Sequence, residues 1–181
     1  GKTYSFGIKD IEWINEGYKP VSNSTKGLGY DTIQEAINAA ANGDTILVGE
    51  GTYDEEITIS KDLILLGANS DVNPNDNGKE RSTETVLKDR LTLRGENNII
   101  VKGFKFFNDT VGKNNQTAVA INGNGTYTVE NCIFERVPGN MTAEELALEK
   151  SLSIRGIEIS RATSGTIDIQ NNLFTGSDVN I

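Results

Sequence analysis

Three stretches of this chain repeat one pattern: IIVKGFKF from Ile99 to Phe106, YTVENCIF from Tyr127 to Phe134, and IDIQNNLF from Ile167 to Phe174. Val101, Val129 and Ile169 share one position of the repeat. Gly103, Asn131 and Asn171 share a second, and Phe106, Phe134 and Phe174 a third. LILLG, Leu63 to Gly67, is an earlier copy of the first half. A short apolar pair precedes each copy: Ile57/Ile59, Leu91/Leu93, Val119/Ile121 and Ile157/Ile159. Alternation of this kind, rich in β-branched residues, reads as strands. Gly and Asn tolerate left-handed bends. The steps are 28 residues (Val101 to Val129) and 40 (Val129 to Ile169), so the unit is constant and its loops vary.

One such unit cannot bury its apolar side, whereas stacked neighbours bury a continuous core. The spacing predicts a solenoid in which each strand pairs in parallel with its equivalent in the next rung. Ile, Val, Leu and Phe then form ladders inside, and Asn at a bend hydrogen-bonds its copies above and below. A different period precedes the repeats. In TIQEAINAAANG, Thr32 and Glu35 have capping-box spacing, and Ile33, Ala36, Ile37 and Ala40 make one narrow apolar face. A helix over 31–42, ended by Asn42-Gly43, is too short to stand alone in water. It is predicted to cap the open first rung, with residues 1–29 as N-terminal strands and cap and 45–181 as the solenoid.

Here the residues resemble a known family. TIQEAINAAANGDTILVGEGTYDEEITISKDLILLGAN is similar to the opening of right-handed parallel β-helix proteins of the pectin-lyase-like superfamily. The likeness spans Tyr30 to Asn69 and continues more weakly to Phe174. It implies an all-β, right-handed parallel β-helix with an N-terminal capping helix. It is specific for fold and poor for function, since such folds host both enzymes and surface proteins.

The motifs of the enzymes in that superfamily are missing. The chain has no DFIFG-type segment, no NTD, paired DD or RIK, and no histidine. Arg155 and Arg161 flank Ile157–Ile159, where a lyase base is imaginable, but acidic neighbours are few. Glu130, Glu158 and Asp168 alternate with apolar residues and are predicted to point outward into solvent. No catalytic, cofactor or metal residues are assigned. The loop DVNPNDNG, Asp71 to Gly78, carries oxygen side chains at Asp71, Asn73 and Asn75, as in Ca²⁺ loops. Asp76 stands where glycine should, and no bidentate Glu follows, so Asx-turns are the simpler reading.

Two further segments stand outside the repeat. Val137 to Ser151 has a capping-box pair, Thr142 and Glu145, followed by Leu146 and Leu148. A two-turn helix inserted there explains the longer step, either covering the solenoid side or walling a groove. Thr3 to Pro20 alternates through Tyr4, Phe6, Ile8, Ile11 and Trp13. It is expected to dock on the body, with Trp13 in core or cap packing rather than stacking on a sugar.

At 181 residues this is one domain, and a net charge of −9 argues against nucleic acid and anionic membranes as partners. An acidic polysaccharide is repelled unless Ca²⁺ bridges the contact. Cys132, the single cysteine, cannot form an internal disulfide. No transmembrane-length stretch or signal peptide is seen, and the leading GK suggests a domain excised from a longer protein. Sequons at Asn23, Asn108, Asn115, Asn124 and Asn140 are read as turn chemistry. The expectation is a non-catalytic module of a bacterial surface protein, extracellular, serving adhesion or glycan binding. The alternative is the N-terminal part of a lyase- or esterase-like polysaccharide enzyme. The chain stops at FTGSDVNI, shortly after the third Phe, so self-association through an uncapped last rung, Ile167 to Phe174, is also expected.

Overall fold

The computed structural model describes residues 19–107, 117–135, 155–160 and 164–175. In chain order come β1 (Val21–Asn23), β2 (Leu28–Tyr30), α1 (Ile33–Ala39), β3 (Asp44–Val48), β4 (Gly51–Tyr53), β5 (Ile57–Ile59), β6 (Leu63–Leu66), β7 (Thr85–Leu87) and β8 (Leu91–Arg94). Then follow β9 (Asn98–Lys102), β10 (Phe104–Phe107), β11 (Thr117–Asn122), β12 (Thr126–Glu130), β13 (Ile133–Glu135), β14 (Arg155–Ile159), β15 (Thr166–Gln170) and β16 (Leu173–Thr175). The protein is mostly β, with largely parallel sheets.

From β3 onward the chain visits three sheets in rotation. The first runs β15-β12-β9-β6-β3-β1-β2, the second β16-β13-β10-β7-β4, and the third β14-β11-β8-β5. Each strand from β3 to β16 pairs in parallel with its equivalents one triplet away. Only β1 runs antiparallel, to β3 and to β2. The register follows the sequence repeat. Ile46, Leu65, Val101, Val129 and Ile169 pair in turn across the first sheet. Tyr53, Leu87, Phe106, Phe134 and Phe174 do so across the second. Ile57, Leu91, Val119 and Ile157 align across the third, as do Ile59, Leu93, Ile121 and Ile159. Because side chains alternate across a strand, every second residue of each ladder turns inward. These residues make one buried core.

The three Phe rings stack at 4.9 Å and 4.6 Å, with interplanar angles of 12° and 8°. Those distances match the strand spacing of roughly 4.8 Å, so the backbone register itself holds the rings face to face. The bend position also repeats. Gly103, Asn131 and Asn171 have φ of 77°, 57° and 55°, in the left-handed region. Gly67 holds the same register position without a positive φ, because the chain there leaves for the loop 67–84 instead of turning into the next strand.

Three expectations change. The helix covers Ile33–Ala39, not 31–42, and its C-cap Ala40 is already extended. Side chains end it: Lys26 Nζ donates to Ala39 O, and Lys61 Nζ to Ala40 O at 2.7 Å. Gly43, at φ 83°, serves the turn into β3 instead. The start is as read, with Thr32 and Glu35 closing a full capping box. Second, the bend asparagines do not bond one another. Asn131 Nδ2 donates to Ser70 O at 2.7 Å, and Asn171 Nδ2 to Glu130 at 3.3 Å. The next residue, Asn172, adds a tie between triplets to the main chain, donating to Val129 O and accepting from Cys132 N–H, both at 2.8 Å. Third, Glu130 is not free in solvent, as shown below. The inserted helix at Val137 to Ser151, the alternating segment from Thr3 with Trp13, and the FTGSDVNI end beyond Thr175 lie outside the described residues.

Candidate functional site

The most elaborated surface is the corner between the first and second sheets, where β9, β12 and β15 bend into β10, β13 and β16. Loop 67–84 lies along it. Gly103 permits this: a Cβ there would meet Ser70 N at 2.1 Å, so only glycine lets the two backbones touch. The loop is fastened by Arg81. Its Nε and NH2 donate to both Glu84 carboxylate oxygens at 2.8 Å and 3.0 Å, and its NH1 donates to Val72 O and Asn131 O. A planar guanidinium suits this double task, holding one carboxylate with its fork and two carbonyls with its remaining N–H groups. Asn75 Nδ2 reaches Asn172 O at 3.2 Å. One loop thus ties bends from three successive triplets.

Within the 71–78 segment the asparagines and aspartates form Asx-turns: Asn73 Oδ1 accepts from Asn75 N–H, and Asp76 Oδ1 from Gly78 N–H, each at 2.9 Å. Their oxygens serve the loop backbone. Among the described residues no three His, Cys, Asp or Glu side chains come together in a way that could hold a metal ion.

The outer faces carry paired charges. Lys102 Nζ meets Glu130 Oε2 at 2.5 Å, and Glu130 is 15% exposed. Lys105 pairs with Glu135 on the second sheet. Arg90 meets Glu56 at 3.3 Å. Glu158 accepts from Thr117 Oγ1 at 2.8 Å, and exposed Asp168 accepts from Gln170 at 3.2 Å. Alternation had placed Glu130, Glu158 and Asp168 outward correctly, but only Asp168 meets solvent freely. The partner Lys102 was legible in the repeat, since it follows Val101 as Glu130 follows Val129. Lys105 was harder to find, because its neighbour in register is Ile133 and its ion partner lies diagonally. Arg155 begins β14, opposite Thr117, and Arg161 lies outside the described residues.

The remaining candidates are structural. Cys132 is fully buried, and burial pushes its thiol up to about 12, so it is no nucleophile at neutral pH. Asn23 is buried, its amide donating to Asp44 at 2.7 Å, which removes it as a glycan acceptor. Asn124 is exposed in a turn, its Oδ1 accepting from Ser164 N–H. Asn108, Asn115 and Asn140 lie outside the described residues. Among the described residues no helix is long and apolar enough to cross a membrane. No family model matches the chain, and no curated protein or solved structure matches it either.

Proposed function

We propose that the triplets are the rungs of a right-handed parallel β-helix of the pectin-lyase-like kind, and that the chain is a non-catalytic surface module that binds a glycan or serves adhesion outside the cell. The observation that carries the reading is the use of charge on the outer faces. Glu130 and Glu135 are each neutralised by a lysine of the preceding triplet, and Glu84 by Arg81. Acid–base catalysis needs a carboxyl poised near the working pH and aimed at substrate. Carboxylates committed to such pairs tie neighbouring strands together instead.

The second sheet offers a binding face. Val86, Lys105, Ile133 and Leu173 form its outward column. Phe107 alternates outward beside them, partly exposed. An aromatic ring flanked by aliphatic and charged groups suits a sugar with one apolar face and polar edges. The net charge of −9 favours a neutral glycan over an acidic one.

Titration of the chain with neutral oligosaccharides tests this, alongside incubation with pectin and polygalacturonate in the presence and absence of Ca²⁺. The expected result is saturable binding, weakened about tenfold by Phe107→Ala, with no product from either polymer. Steady release of unsaturated product or methanol would overturn the non-catalytic reading, and binding indifferent to Phe107 would overturn the choice of face.

A further inference from the structure

Loop 67–84 is built unlike the sheets it lies on. None of residues 68–84 belongs to the apolar core, and among them only Asn69 is buried. Hydrogen bonds hold the loop at three heights. At its base Asn69 accepts from Ser82 N–H at 2.8 Å and donates to Ser82 O and Glu84, which closes the two arms on each other. In its middle Arg81 joins Glu84, Val72 O and Asn131 O. At its tip Asn75 reaches Asn172 O. Both arms spring from a fixed point, since buried Thr85 accepts from Ala68 N–H and donates to Gly49 O, each at 2.9 Å. The closed loop leaves one group worse off. Asn131 Nδ2 meets Ser70 O, but Asn131 Oδ1 is sealed from solvent with no hydrogen-bond donor among the described residues.

We infer that loop 67–84 is a strap that opens and closes as one piece over this corner, with Arg81 as its latch, while the sheets beneath stay paired. Segments with few buried apolar contacts open at less cost than a packed core. Each hydrogen bond of the strap is exchanged for one to water on opening, so its net worth is small. The apolar ladders gain nothing comparable from water. Opening also lets water reach Asn131 Oδ1, which relieves the cost of a buried acceptor left unpaired. The strap moves as one piece because a single guanidinium spans it, holding Glu84 near the base, Val72 on the opposite arm and Asn131 on the corner. Without that group the corner is held only by separate bonds, from Asn131 to Ser70 O, from Asn69 N–H to Gly103 O and from Asn75 to Asn172 O. The closed strap occupies the carbonyls of Asn131 and Asn172 and the Asn131 amide. The open strap bares them as a row of polar groups beside the outer face of the second sheet, so it acts as a gate on that edge.

Amide hydrogen exchange, read residue by residue by NMR at several low denaturant concentrations, tests the inference. The amides of Asn69, Val72 and Ser82 are each hydrogen-bonded in the closed strap. In the unaltered chain they are expected to share one protection factor, at least about tenfold below that of the paired amides of β9 and β12. Their exchange is expected to depend little on denaturant, because opening the strap exposes little surface. Arg81→Ala is expected to lower these three protection factors about tenfold while β9 and β12 stay within about twofold. Arg81→Lys is expected to loosen the strap as well, since an ammonium keeps the charge and loses the planar fork. Strap amides that exchange only together with β9 and β12, with the same denaturant dependence, overturn the inference by making the loop part of the core. Three unrelated protection factors overturn it too, as does an Arg81→Ala chain whose strap is no looser or whose β9 and β12 loosen equally. Full protection in Arg81→Lys overturns the guanidinium as the latch.

Discussion

Phe134 lies between Phe106 and Phe174, its ring parallel to both and 2% exposed. Truncation to alanine leaves a cavity walled by two rings whose backbones are fixed by parallel pairing, so collapse is limited. Phe134→Ala is therefore expected to cost about 3–5 kcal/mol in denaturant unfolding, the range for a buried Phe. A loss below about 1 kcal/mol would mean that the stack contributes little to the fold. Cys132 offers an independent probe two residues away. Its buried, raised pKa predicts no reaction with a thiol reagent in the native chain at mildly alkaline pH and full reaction in denaturant. Fast labelling of the folded chain would contradict the closed core. The Phe register was legible in the sequence because parallel in-register pairing sets like on like, so identical residues at identical repeat positions must meet. The pairing of Glu130 with Lys102 follows from the same register, whereas alternation alone tells only that Glu130 faces outward.

At the scale of elements, α1 is held at both ends by side chains from elsewhere. Glu55 accepts from Ile33 N–H and Gln34 N–H at its start, as an anion at a helix N-terminus should. Asp44 joins its end to β1, accepting from Asn23 Nδ2 and from Ala41 N–H at 2.9 Å, with Lys26 at 3.4 Å. The Asn23 amide first, then the Ala41 N–H and Lys26, hold the Asp44 carboxyl below its ordinary value of 3.8. A carboxyl depressed in the folded state contributes stability that is fully present above the unfolded value and lost as pH falls through the folded one. Melting temperature is therefore expected to drop on acidification below about pH 4. In Asp44→Asn the stability at neutral pH is lower and this part of the acid sensitivity is gone. An unchanged acid profile in the variant would count against the linkage. The capping box was readable because it is local. The helix end was not, since Lys26, Lys61 and Asp44 act from outside the helix and Asn42-Gly43 imitated a stop signal that the turn into β3 uses.

For the whole molecule, rotation of the chain through three sheets explains why the sequence repeats at unequal intervals. Only strand residues must keep register, and the loops between are free to lengthen, as 67–84 does before Thr85 rejoins β4 and β10. The position of that loop along the corner left no trace in the repeat, because its contacts to Gly103, Asn131 and Asn172 are made to residues far along the chain. The repeat alignment is what the proposed β-helix rests on, and proximity between residues 28 and 40 apart in sequence tests it most directly. In nuclear Overhauser spectra of the chain, ring contacts are predicted between Phe106 and Phe134 and between Phe134 and Phe174, with methyl contacts from Val101 to Val129 and from Val129 to Ile169. A direct contact between Phe106 and Phe174, or a Phe134 ring that sees only its sequence neighbours, would contradict the stacked register and the fold built on it.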